Sequence, residues 1–98
     1  MELQDVAKDI SSQTNYRITQ RMEALMRTNP RYKNLNGANR EVVMGLIKKY
    51  KDKIRQGIKP SRLTVREDKY HLYQNRIKLG LTEYDLEQIN KLLDSFKD

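Results

Sequence analysis

Ninety-eight residues, 37% hydrophobic and 34% charged, allow one domain with a thin core and a large solvated surface. Cysteine is absent, which excludes a disulfide framework and a thiolate metal site, and no run of about 18 apolar residues is present to span a membrane. The net charge of +7 is unevenly spread: residues 17–79 hold seventeen of the twenty Lys and Arg against five acids, whereas residues 1–16 and 80–98 are each net acidic.

A mean hydropathy of −0.93 raises the question of disorder, but the apolar residues recur at helical spacing, which a disordered polar tract would not maintain. Leu3, Val6 and Ile10, then Ile18, Met22, Leu25 and Met26, with Thr14 filling the gap, make the first stripe. Residues 3–27 read either as one helix or as two pieces broken near 11–15. Unbroken, the helix would be ~37 Å long at 1.5 Å per residue, against a radius of gyration of ~13 Å for a chain of this size. The break is therefore favoured. A continuous helix would instead leave an overhang able to pair with a second copy as a homodimer. Residues 28–38 form a loop rich in Asn, Pro and Gly.

Val43, Leu46, Ile47, Tyr50 and Ile54 predict a helix over 39–56, with Asn36 or Asn39 as its cap and Gly57 as its stop, closed by Ile58. Gly45 lies inside it, where glycine costs ~1 kcal/mol against alanine, and a close helix crossing would account for it. Thr64-Val65-Arg66-Glu67 predicts the start of a helix over 65–79, ended by Gly80. That helix carries two apolar stripes. Val65, Leu72 and Leu79 lie on one side; Tyr70, Tyr73 and Ile77 lie roughly opposite. One stripe should enter the core, leaving the other sandwiched by a further helix or open to a partner. Thr82, with Asp85 three residues on and Leu81 stapling to Leu86, predicts a helix over 83–96 whose buried face is Leu86, Ile89, Leu93 and Phe96. Nothing reads as a strand. The fold class is all-α: a single domain over residues 1–98, with three to four helices.

Catalytic chemistry is not in view. His71 is the only histidine, and no set of His, Cys and carboxylates at ligand spacing accompanies it, so no metal centre or cofactor is expected. Glu67 and Asp68 fit the first turn of a helix as dipole partners, and the four scattered glycines make no phosphate-cradling loop. A helix-turn-helix around Leu79-Gly80-Leu81 would put Glu83, Asp85 and Glu87 against phosphate, so an αα-hairpin fits better there. Met1-Glu2-Leu3-Gln4-Asp5 lacks the basic start and apolar stretch of a secretion signal, so the expected location is the cytoplasm.

The basic middle then carries the functional expectation. Lys48, Lys49, Lys51, Arg55, Lys59, Arg62 and Arg66 run with few compensating acids, and Arg31 and Lys33 sit in the Asn-rich loop with Tyr32. Such a field draws polyanions. The leading expectation is nucleic-acid binding, of double-stranded DNA above all, through phosphate contacts from these nine residues. The alternative is a modulator or adaptor docking on an acidic protein partner through Tyr70, Tyr73, Arg66 and Lys69. The second expectation treats tyrosine among cations as a protein hot spot.

Overall fold

A computed structural model describes residues 2–96; Met1, Lys97 and Asp98, which the single-domain range and the acidic C-terminal segment include, lie outside the described residues. The chain is all-α, with no strand among the described residues. It opens with two 3-10 turns, Leu3–Ala7 and Ile10–Ser12. The helices follow as α1 (Asn15–Thr28), α2 (Ala38–Arg55), α3 (Arg62–Gln74), α4 (Arg76–Leu79) and α5 (Glu83–Asp94), with a 3-10 turn at Pro30–Tyr32 between α1 and α2.

The first segment breaks where the sequence places the break. Its N-terminal part is 3-10 rather than α-helical, and Asp9 turns the chain with a positive φ of 54°. Thr14 does not fill a stripe. Its hydroxyl accepts from the Arg17 backbone N–H at 3.1 Å and so caps α1. The longest dimension of the molecule is 33 Å, too short for the unbroken helix. Leu3, Val6 and Ile10 are buried in the chain's own core, so no overhang remains for a second copy to cover.

α2 differs from expectation at both ends. Its N-cap is Gly37, not an asparagine, and no side chain caps it. Asn39 is buried, and its amide donates to the Asn34 and Leu79 carbonyls, each at 3.0 Å. At the other end Gly57, at φ 79°, supports bonds from Gly57 N–H to the Ile54 carbonyl and from Ile58 N–H to the Lys53 carbonyl. Ile58 itself is exposed, so it closes the helix by backbone alone. No helix crosses at Gly45: a Cβ there would meet nothing within 4 Å. Gly45→Ala should therefore raise stability by about 1 kcal/mol, read as a higher denaturant midpoint with an unchanged slope. A fall would mean that the position has a packing role.

The helix expected over 65–79 starts earlier and is interrupted. Ser61 caps α3 by accepting from the Thr64 N–H at 3.1 Å, three residues ahead of the predicted Thr64 start. At Asn75 both the backbone N–H and the side-chain amide bond the His71 carbonyl, and this competition ends α3. The i→i−4 pattern resumes with Leu79 N–H to the Asn75 carbonyl at 2.9 Å, so α4 continues α3 after one residue. Gly80, at φ 68°, closes α4, and Leu81 is buried beyond it. α5 carries the predicted reciprocal cap between Thr82 and Asp85 and packs on α3 as the other arm of a hairpin.

The core is a single cluster in which Ile18, Met22, Leu25, Val43, Ile47, Tyr50, Ile89, Leu92 and Leu93 are each at most 1% exposed. α5 also packs on the Leu3–Ala7 turn, so the two acidic ends of the sequence become neighbours.

Candidate interaction surface

Folding divides the cations of α2. Lys51 is 3% exposed and donates to Asn15 Oδ1 at 2.8 Å, out of reach of an external phosphate. Lys49 pairs with Asp68 at 3.2 Å across to α3. Lys48 lines a crevice between α1 and α2 together with Glu23, Arg40 and Glu41, where signs alternate. Of the four α2 residues expected on phosphate, only Arg55 is both exposed and outside the ion pairs and mixed-charge crevice found among the described residues. Lys59, Arg62 and Arg66 are exposed further along, and Arg31 and Lys33 are exposed on the far loop. The nine do not form one open basic face.

The Asn-rich loop has a structural use. Asn34 donates to the Gly80 carbonyl at 2.7 Å and to Asp85 at 2.6 Å, while Asn39 holds the Leu79 carbonyl. Together they tie this loop to the turn between α4 and α5. Tyr32 is fully buried. Its hydroxyl accepts from Leu3 N–H at 3.1 Å and donates to Glu2 at 2.5 Å. Burial, then the Glu2 hydrogen bond, pushes its ionisation well above the ordinary tyrosine range.

Along α3 and α4 the two-stripe question is answered. Val65 and Leu72 enter the core at 1% and 4% exposure, and Leu79 packs against it. The opposite stripe is bare: Leu63 is 62% exposed, Tyr70 59%, Tyr73 55% and Ile77 84%. With Arg66, also exposed, these residues recur at spacings of three, four, three and four, which keeps them in one row along a helix. Arg76 lies over the Tyr73 ring, 3.9 Å from guanidinium carbon to centroid, and donates to the Tyr73 carbonyl at 2.7 Å. That stacking fixes the ring's orientation at the surface.

Beside the row, Arg62, Val65, Arg66 and Lys69 line a cleft of about 330 Å³. Lys69 is held there by Asp94 of α5, 2.5 Å away. Arg62 and Arg66 have no acidic partner among the described residues.

No protein-family model, curated protein or solved structure matches this chain.

The sequence points to Tyr70, Tyr73, Arg66 and Lys69 on this side of the molecule but not to Leu63 and Arg76, which lie beside them. The expected start at 65 leaves Leu63 outside the helix, whereas α3 begins at Arg62. The seven-residue spacing of Leu63 from Tyr70, and from there to Ile77, is the signal that recovers it. Arg76, three residues after Tyr73, is at the distance from which a helical side chain reaches its neighbour's ring.

Proposed function

We propose that this protein is a small docking module that binds a protein partner through the outward face of α3 and α4. The observation that carries this reading is the exposed row Leu63, Arg66, Tyr70, Tyr73 and Ile77. Scattered single apolar residues on a surface need no explanation, but a contiguous row of large ones does. Tyrosine and arginine are also the side chains that dominate the energetics of protein interfaces. Placing a photo-crosslinking residue at Tyr70 should trap a partner in the lysate of the protein's own host, with none trapped from Tyr16, which is more exposed but off the row. The trapped protein, purified separately, should bind the intact chain. Failure of purified binding, or equal trapping from both positions, would count against the reading.

Nucleic-acid binding through phosphate is the second reading, favoured by the +7 net charge and by the unneutralised Arg62 and Arg66. Phosphate oxygens suit those guanidinium groups as well as carboxylates do. If it holds, log affinity for a random duplex should fall by ~0.9 per neutralised phosphate for each unit of log salt. Arg62→Glu should reduce that slope. A salt titration that gives a flat response, or no binding at low salt, removes this reading.

A further inference from the structure

The row on α3 and α4 has a chemical polarity across its width. At 100° per residue its four members within α3, Leu63, Arg66, Tyr70 and Tyr73, span an arc of about 80°. Arg62, Lys69 and Arg76 follow along one margin, while Gln74, Glu67 and Lys78 follow along the other. The first margin is wholly cationic and includes the cleft between Arg62, Arg66 and Lys69. Lys69 is paired with Asp94, so Arg62 and Arg66 are the cations of the cleft without an acidic partner among the described residues. Val65, 1% exposed, lines the same cleft with an apolar side chain.

We infer that the partner of this face is an acidic amphipathic helix, its apolar side chains meeting Leu63, Tyr70, Tyr73 and Ile77 and its carboxylates lying along the Arg62–Arg66 margin. This inference rests on the docking reading above and names the partner's chemistry. A helix is the matching shape because the row repeats at three and four residues, the spacing through which two helices interdigitate at a shallow angle. From Leu63 to Ile77 the row runs ~21 Å at 1.5 Å per residue, which is about four turns of a partner. Acidity follows from charge complementarity, since two unpartnered guanidinium groups would remain desolvated and unpaired under a neutral or basic partner. A second copy of the chain fits less well, because two molecules of charge +7 repel and would set like margins near one another. Duplex DNA fits less well again. Leu63 and Ile77, among the most exposed apolar side chains, would gain nothing from phosphate.

The test uses the full-length protein and three fluorescein-labelled 18-residue peptides with leucine at heptad spacing. One carries Glu at the flanking positions, one carries Lys there, and one is the Glu peptide interrupted by a central proline. Fluorescence anisotropy should show the Glu peptide binding at least ~10-fold more tightly than the Lys or proline peptide, with the margin shrinking as salt rises. The double variant Arg62→Glu/Arg66→Glu, at exposed positions, should keep its circular dichroism spectrum and lose or reverse the preference. Equal binding of the Glu and Lys peptides would overturn the acidic partner, and equal binding of the proline peptide would overturn the helix. Failure of all three peptides would also overturn the inference, while a partner still trapped at Tyr70 would leave the docking reading standing. Light scattering that shows a dimer dissociated by Tyr73→Ala would make a second copy the occupant and overturn the inference too. Loss of both Tyr70 trapping and peptide binding would bring down docking as a whole.

Discussion

Tyr50→Ala should lower stability by about 3–5 kcal/mol, the range for removing a buried aromatic side chain. Tyr50 is fully buried, stacks obliquely on Phe96 at 5.0 Å between centroids, and sits on the core face of α2. Its hydroxyl donates to Asp68 of α3, which also receives Lys49, so one phenol links helix packing to the only charge pair joining α2 and α3 among the described residues. Against a typical net stability of about 5–15 kcal/mol, such a loss leaves a small domain close to unfolding. At roughly 4–8 °C per kcal/mol, the melting temperature should fall by about 12–40 °C. Tyr50→Phe keeps the ring and loses only the hydrogen bond, for about 1–2 kcal/mol.

The same tyrosine should make the fold sensitive to base. Burial first, then the hydrogen bond to Asp68 and its charge, hold the Tyr50 phenol un-ionised well above the ordinary tyrosine range. Below pH ~10 the phenol is neutral in both folded and unfolded chains, and its contribution to stability is complete. As pH rises past that value the unfolded chain loses the proton while the folded chain retains it, so stability is progressively lost. Denaturant midpoints taken from pH 8 to 11.5 should therefore drop above about pH 10. In Tyr50→Phe the drop should be shallower, with the remaining part owed to Tyr32, which is shifted in the same direction. Identical curves for the two proteins would show that Tyr50 carries none of the effect.

The second large effect should fall on binding and spare the fold. Tyr70→Ala/Tyr73→Ala removes two side chains that are more than half exposed. Surface changes of this kind usually alter stability by no more than about 0.5 kcal/mol. If each ring is an interface anchor worth about 2 kcal/mol, affinity for a partner should fall at least ~100-fold. Arg76 stacks on Tyr73 in the free protein, so Arg76→Ala should weaken binding more modestly by releasing that ring. Calorimetric titration beside thermal melts separates the two quantities. A double variant that binds as tightly as the parent would leave the exposed row without a role, whereas one that also melts much lower would give the row a structural role instead.

The amino-acid order by itself determined the all-α class, the helical stretches and most stops, because apolar period, caps and glycine are local signals. Thr82 with Asp85, Gly57 and Gly80 work within a few residues, and each is found where local chemistry puts it. It also determined that α3 and α4 carry two apolar stripes. Which stripe turns inward is set by α5 and by the rest of the core, through contacts with residues distant in the chain, and periodicity along one helix contains no such information. Only the tertiary structure decided that Lys51 is buried, that Lys49 is spent on Asp68, and that Asn34 and Asn39 clamp the distant Gly80 turn. Charge counted along a sequence cannot anticipate this, since neutralisation depends on which oxygen folding brings within a few ångströms of each cation.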